Sequence, residues 1–390
     1  MIEVEEAIRL VKENISVLKA QSILVEDSLG YVLAEDVCSP IDMPPFPQSA
    51  MDGYAINKGE ARAFKLVGEV QAGSGDHPVL NDNEAVRIFT GAAVPLTANV
   101  VAQQEIVEPN EDQISLTKEL ALGANIRLQG EQIKQGDIAL RSGTPMTPAS
   151  IGFLLGIGVS EVSVFAKPSV KIIVTGDELV APGGELTYGK IYESNSYMLK
   201  SLMQEFGLMD VEIIKVKDDY DATYTTIKEA IANCDLMLLS GGISVGDYDF
   251  VGKALNALGA NQIFYKVKQK PGKPLYFGAL NETKIFALPG NPAAALTCSY
   301  VYVKIAIDLM MGLSAVGIPN KVLTANFEMT KKGDRAQFLK VIATEDQIEL
   351  LGAQSSAMLS SFSVANAFAY IPANVSEVKK GDQIKTYLFG

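Results

Sequence analysis

Apolar residues Val4, Ile8, Val11, Ile15 and Leu18 recur at intervals of three and four, so they share one face of an opening helix that packs on a core. The rhythm then stops at residues 40–47, where Pro40, Pro44, Pro45 and Pro47 block both helix and central strand and predict an extended spacer. That spacer delivers an Asp52-Gly53 turn and its carboxylate. Short β-like runs follow at 64–70, 84–89, 99–107 and 113–116, separated by Gly, Pro, Asn and Asp, and predict a small all-β unit with Thr90 at a strand end. Residues 148–155 read as a helix with Thr147 as cap and Pro148 in the first turn, and Lys167-Pro168 marks a boundary.

Beyond Pro168 the texture changes to strands at 170–174, 211–216, 236–239, 263–267 and 285–288, with a short extra one at 275–277. Helical patterns at 196–206, 222–232, 251–258 and 293–311 alternate with them, and Gly207 closes the first. Such alternation predicts a parallel sheet covered on both faces. From Pro319 onward β texture returns at 321–327, 337–344, 348–351, 368–372 and 383–389, which suits a small barrel or sandwich. The fold class is therefore multidomain α/β plus β, with a central parallel-sheet α/β domain.

Composition narrows the chemistry. A chain of 390 residues, 48% hydrophobic and 20% charged, is ordinary globular material of several domains. A net charge of −13 argues against general nucleic-acid binding, which rests on basic side chains. Cys38, Cys234 and Cys298 lie far apart, without zinc or redox spacing, and read as thiols of a reducing compartment. Glu3, Glu5 and Glu6 stand where a secretory signal would need basic and then apolar residues, and the apolar-leaning stretch 151–165 falls short of the ~20 residues of a membrane span. The expectation is a cytoplasmic protein without a membrane segment. The single histidine, His77, sits in a polar loop and receives no role.

In open α/β sheets ligands bind at the carboxyl ends of the strands. The five loops that follow the predicted strands hold nearly all the Gly, Asp and Lys clusters of the region: 175–179, 217–219, 240–250, 268–274 and 289–292. Chance turns would be shared between both edges. In the third loop Gly241, Gly242 and Gly246 let backbone N–H groups approach an anion, and Asp247 and Asp249 supply carboxylates for a cation lying between. Taken alone, that loop reads equally well as a glycine-rich turn with a solvated acidic rim. Together, Asp177, Glu178, Asp218, Asp247 and Asp249 are more carboxylates than one pocket keeps ionised without a cation, and oxygen-only donors indicate Mg²⁺. Lys270 and Lys273 can bracket an anion, and the helix opening at Pro292 can bind one through its N–H groups. These parts fit phosphoryl or oxyanion transfer. No P-loop motif is present, and one loop histidine leaves no Ser/His/Asp set.

The motifs Pro44-Pro45-Phe46-x-x-Ser49-Ala50-Met51-Asp52-Gly53-Tyr54-Ala55, Thr175-Gly176-Asp177-Glu178-Leu179, Ser240-Gly241-Gly242-Ile243-Ser244-Val245-Gly246, Lys270-Pro271-Gly272-Lys273-Pro274 and Leu288-Pro289-Gly290-Asn291-Pro292 resemble, in this order, the molybdopterin molybdenumtransferase (MoeA) family, related to the E domain of gephyrin. The resemblance covers essentially the whole chain. It implies four domains: an elongated domain of residues 1–43 and 137–168, an inserted small β domain 44–136, the α/β molybdopterin-binding domain 169–314, and a C-terminal β domain 315–390. It implies insertion of molybdate into adenylylated molybdopterin, with Mg²⁺-dependent release of AMP, by a homodimer whose site lies between protomers. It also admits contact with the molybdopterin adenylyltransferase.

Carried onto this sequence, the resemblance makes Asp52, Thr90, Glu178, Asp218 and Asp249 catalytic. Asp177, Glu178, Asp218 and Asp249 become the metal set. Substrate contacts fall to Gly241, Gly242, Ser244, Gly246, Asp247, Lys270, Lys273, Pro289, Gly290, Asn291, Arg127, Arg335 and Ser361. Two positions depart from the family pattern: Gln132 stands where an aspartate is common, and Ala294 where a serine is common. The alternatives are a molybdopterin adenylyltransferase, which shares the glycine-rich loop but needs little beyond the α/β domain, and a non-catalytic molybdopterin-binding scaffold.

Overall fold

The structure is a computed structural model that describes residues 1–75, 78–242 and 250–389. The predicted roles of Ser244, Gly246, Asp247 and Asp249, and the solvated-loop reading of His77, fall outside these residues. The chain divides into two compact units, one of Met1–Gln21, Gly30–Val32 and Val164–Gly390, the other of Ser22–Leu29 and Leu33–Ser163.

In the second unit a six-stranded mixed sheet runs in the order Val100–Gln103, Gly53–Ile56, Glu84–Ile88, Ala63–Val70, Gln113–Leu116, Val107–Asn110. Segment 53–56, which is not expected as a strand and begins inside the expected Asp52-Gly53 turn, is an inner strand hydrogen-bonded on both sides. Its two faces pack in different clusters, Ala55 with Val86 and Val101, Ile56 with Phe64 and Val100. A four-residue strand buried on both faces shows no polar alternation to detect. Gly53 is required there, because a Cβ would lie 1.9 Å from the Ala102 carbonyl oxygen. The expected run 99–107 breaks at a 3₁₀ turn, Gln104–Ile106, and Pro109 sits on the edge strand, where its missing N–H costs nothing. Helix Pro148–Gly156 begins as predicted, with the Thr147 hydroxyl accepting from the Ser150 N–H.

The first unit carries the α/β sheet, with strands β1 (Val170–Thr175), β2 (Val211–Val216), β3 (Leu236–Ser240), β4 (Asn261–Tyr265), β5 (Tyr276–Leu280) and β6 (Thr283–Leu288), in the order 2-1-3-6-5-4. Strands β2, β1, β3 and β6 are parallel, whereas β5 runs antiparallel between β6 and β4. The sheet is therefore mixed rather than wholly parallel. The hairpin between β5 and β6, with Asn281 at φ +54°, reverses one strand. Because β4 is antiparallel to β5, it again points the same way as β6, so all five predicted loops still leave one edge. Strand β4 ends two residues before the expected 267, where Lys266 takes φ +71° and the chain leaves the sheet.

Leu236, Leu238, Phe277, Phe286 and Leu288 form the centre of a core that also takes in Val4, Ala7 and Val11 of the first helix. That helix ends at Glu13, and Ile15 and Leu18 pack on the same core from irregular backbone. The predicted helix 293–311 is Pro292–Cys298 and Lys304–Met310 joined by a π-helical turn, Ser299–Val303. Pro292–Met310 is long and apolar enough to cross a bilayer, but 89% of its most apolar window is buried inside the protein, as expected of a core helix. The C-terminal strands close on themselves, with Ala336–Ala343, Gln347–Leu350, Asn320–Ala325, Gln383–Leu388 and Ala367–Ile371 each paired to the next and the last paired to the first. Barrel, not sandwich, is the outcome.

Candidate active site

The parallel strands β1, β3 and β6 end side by side, and a cavity of about 120 Å³ lies at their carboxyl edge, lined by Thr175, Glu178, Glu193, Asn195, Ser240, Gly241 and Gly290 among others. Gly241 (φ +96°) and Gly242 (φ +63°) turn the backbone at the end of β3. A Cβ on Gly241 would lie 2.4 Å from the Thr175 carbonyl oxygen, so only glycine allows β3 to leave the sheet this closely. Asn195, at the start of helix Asn195–Glu205, donates to the Ser240 hydroxyl at 2.9 Å and to the Gly290 carbonyl at 2.8 Å. It thereby ties three strand-end loops together. The Thr175 hydroxyl and the Asn195 Oδ1 are buried without a hydrogen-bond partner among the described residues. Buried Glu193 accepts from the Ser196 N–H and hydroxyl, fixing the start of the same helix.

A second cavity of about 270 Å³ adjoins, lined by Gly176, Asp177, Leu179, Glu193, Lys215 and Lys217 among others. Here the Asp218 N–H donates to the Asp177 carboxylate at 3.2 Å, and Lys190 donates to the Asp177 carbonyl at 2.6 Å. Burial, together with the like charges of Asp177 and Glu178, raises the Asp218 carboxyl above the ordinary aspartate range. Among the described residues no three acidic side chains converge closely enough to hold a metal ion by themselves. The expected fourth carboxylate, Asp249, lies outside them.

The loop after β4 lies at the same edge. Lys270 and Lys273 are exposed, and Lys270 lies in a short strand, Gln269–Lys270, parallel to Ala336–Ala343 of the barrel. Arg335 Nη1 donates to the Gln269 carbonyl at 3.4 Å, so the predicted arginine does reach the lysine loop. Asn291 donates to the Ser356 hydroxyl at 3.2 Å. Ser361 is buried and its hydroxyl donates to the Ala353 and Met358 carbonyls, where it closes its own loop. Pro289 and Ala294 are buried beside the exposed Gly290 and Asn291.

In the other unit Thr90 donates to Asp52 Oδ1 twice, from N–H and hydroxyl, each at 2.8 Å. These bonds hold the exposed Asp52 carboxyl below its ordinary value, with Arg87 adding to the effect. Arg127 pairs in a short antiparallel bridge with Gln48, and with Gln132, Glu131 and Met43 it lines a cavity of about 340 Å³.

Three family models match in sequence: "MoeA N-terminal region (domain I and II)" over residues 2–158, "Probable molybdopterin binding domain" over 171–308, and "MoeA C-terminal region (domain IV)" over 322–389. Molybdopterin molybdenumtransferase of Staphylococcus aureus (strain COL) is 32% identical over 99% of this chain and 95% of its own length. The chain belongs to the molybdopterin molybdenumtransferase family. Its counterpart in Staphylococcus epidermidis is 33% identical over the same shares. The molybdopterin biosynthesis moeA protein from Pyrococcus horikoshii OT3 superposes with a TM-score of 0.83, at 29% identity and full coverage of both chains. Membership in the molybdopterin molybdenumtransferase family thus extends over both units, with the α/β molybdopterin-binding region at the centre of the match. Sequence reasoning had passed over Glu193, Asn195, Lys215 and Lys217. An asparagine opening a helix beside a strand-end loop was the available signal for Asn195, and Lys217 opens the strand-end loop 217–219, while Lys215 sits on strand β2 and carried none.

Proposed function

We propose that the chain inserts molybdate into adenylylated molybdopterin with Mg²⁺-dependent release of AMP, yielding the molybdenum cofactor. The observation that carries this reading is the gathering of Asp177 and Asp218 at the carboxyl edge of the sheet, where the Asp218 N–H lies 3.2 Å from the Asp177 carboxylate; burial first, and the like charges of Asp177 and Glu178 second, raise the Asp218 carboxyl there. A cation relieves that crowding. The donors are all hard oxygens, and Mg²⁺ usually takes only one or two carboxylates and completes its shell with water and substrate phosphates, so the set fits without a closed cage. When bound, the ion offsets charge on the phosphate that leaves with AMP. Asp177, Glu178, Asp218 and Asp249 hold it in this reading.

The chain's own residues supply the rest. Glycine bends at Gly241 and Gly242 admit the substrate backbone-close, Pro289, Gly290 and Asn291 form the neighbouring wall, and Ser244, Gly246 and Asp247 are assigned further substrate contacts in this reading. Lys270 and Lys273, with Arg335 beside them, take the oxyanion as fixed positive charges. Asp52, kept ionised by Thr90, acts on the reacting groups, Arg127 contributes substrate contacts, and Ser361, its hydroxyl held by the Ala353 and Met358 carbonyls, serves by fixing its own loop. The protein works as a homodimer in the cytoplasm, with the four-domain division given above, and receives its adenylylated substrate from the adenylyltransferase. Matches at residues 2–158 and 322–389 support this reading over that of an adenylyltransferase, whose chemistry would leave those regions unused.

The test is direct. Incubated with adenylylated molybdopterin, Mg²⁺ and molybdate, the protein releases AMP and yields molybdenum-loaded product; absence of both sinks the proposal. Replacing Lys270 and Lys273 together by alanine should raise the KM for molybdate by about tenfold or more, as expected for two charge-assisted contacts.

A further inference from the structure

The turn that carries Lys270 and Lys273 is clamped from beneath by a polar network that neither the motifs nor the site explains. Gln269, Cys298 and Tyr302 are all at 0% exposure. The Gln269 side chain folds back under its own turn, where Nε2 donates to the Gly272 carbonyl at 3.2 Å and lies 3.4 Å from the Cys298 sulfur. Its Oε1 accepts from the Tyr302 hydroxyl. A carbonyl can only accept, so the bond to Gly272 fixes which end of the amide is nitrogen. Burying an amide is unfavourable unless both ends are satisfied, and a leucine or methionine would fill the same space without that requirement. What the amide adds is a cross-brace: it joins the residue before Lys270 to the residue before Lys273.

Tyr302 reaches the amide from the π-helical turn Ser299–Val303. One extra residue per turn resets the side chains that follow, and such turns recur at functional sites. Cys298 stands directly over Gly272, where a Cβ would lie 2.4 Å from its sulfur and φ is +85°. The turn is thus held from inside by the glutamine and from outside by Arg335, which donates to the Gln269 carbonyl. It is anchored on its near flank by Lys268, paired with Glu3 at 3.3 Å and Asp334 at 3.4 Å.

We infer that Gln269, oriented by Tyr302, is a positioning residue for the Lys270–Lys273 oxyanion site, fixing the turn from which the two lysine stems rise and hence the affinity for a tetrahedral dianion. This rests on the reading of those lysines as the molybdate contacts. A turn fixed in advance spares the cost of ordering its backbone when the anion binds, which leaves only the two lysine side chains to be ordered.

Four variants and two measurements decide it: Gln269→Leu, Gln269→Glu, Tyr302→Phe and Lys270→Ala, each assayed for turnover against molybdate at saturating adenylylated molybdopterin, and for direct molybdate binding by calorimetry. Loss of the brace should raise the KM and the dissociation constant for molybdate about tenfold in both Gln269 variants and about threefold in Tyr302→Phe, with kcat within about twofold of the parent. Gln269→Glu is informative because it keeps an acceptor for Tyr302 yet cannot donate to Gly272. A merely structural role would lower the amount of folded enzyme and leave KM unchanged. Unaltered molybdate binding in the Gln269 and Tyr302 variants, alongside weakened binding in Lys270→Ala, overturns the inference and spares the proposed function. Unaltered binding in Lys270→Ala overturns the assignment beneath it. If Gln269→Leu does not fold, Tyr302→Phe, which removes one oxygen atom, decides alone.

Discussion

Asp52 and Asp218 are pushed in opposite directions by their surroundings, and each direction has a measurable consequence. The Thr90 N–H and hydroxyl hold the Asp52 carboxyl low, so it stays ionised further into acid than a free aspartate. Thr90→Val removes the hydroxyl bond; the acid limb of kcat/KM should then move to higher pH, toward the ordinary aspartate range, while Asp52→Asn should abolish most turnover at every pH. Asp218 is raised by burial and by Asp177 and Glu178. Its folded form binds protons more readily than its unfolded form, so its charge subtracts stability as pH climbs from the ordinary aspartate value through the raised one, and the full deficit is present above that. In chelator at neutral pH, Asp218→Asn should therefore raise Tm by about 1 °C, a small figure because solvent screens a half-exposed group, while turnover falls. Addition of Mg²⁺ should raise the Tm of the parent more than that of the variant.

At the scale of elements, two glycines mark where backbone approaches backbone. Gly53→Ala places a methyl group 1.9 Å from the Ala102 oxygen inside a sheet, and should destabilise the protein by about 3 kcal/mol or more, read by denaturant titration. Gly241→Ala meets Thr175 at 2.4 Å in the left-handed region, at a site rather than in a core. It should cost about 1–3 kcal/mol and remove turnover in the protein that remains folded. The helices and the strands β1, β2, β3 and β6 were legible because long, periodic or densely apolar runs leave little choice. Segment 53–56 was not, since a short strand buried on both faces looks like nothing but its own Asp-Gly turn. The strand at β5 was legible, but not its direction, since the reversal depends on the two residues between it and β6 rather than on its own composition. The π-turn was hidden as well: a long, mostly apolar helical pattern gives no sign that one of its turns is wider. For the candidate site, the strand-edge loops pointed to Asp177, Glu178, Asp218, Lys270 and Lys273 through their charge and glycine content. Asn195, Gln269 and Tyr302 act by reaching across between elements, and such contacts are invisible until the elements are placed.

On the scale of the whole molecule, the chain holds two compact units, each with its own apolar clusters. Scanning calorimetry should then resolve more than one transition, and Gly53→Ala should lower the one belonging to the second unit while leaving the other near its original temperature. The first unit is assembled from the two ends of the chain. Val4, Ala7 and Val11 lie in the same core as Phe368 and Tyr387, the Ile2 N–H donates to the Lys266 carbonyl, and Tyr370 donates to Glu5 across 365 positions of sequence. During synthesis the helix Val4–Glu13 emerges long before its resting place, because its apolar face packs on the sheet core and on the helical segment that ends at Met310 as well as on the barrel. The intervening unit, by contrast, is complete by Ser163. Vectorial synthesis at about 5–20 residues per second therefore leaves that helix uncovered for roughly ten seconds or longer while its neighbour is already folded. An amphipathic stretch with Glu3, Glu5 and Glu6 at its head suits such a wait, because charge of one sign keeps nascent chains apart on a crowded polysome.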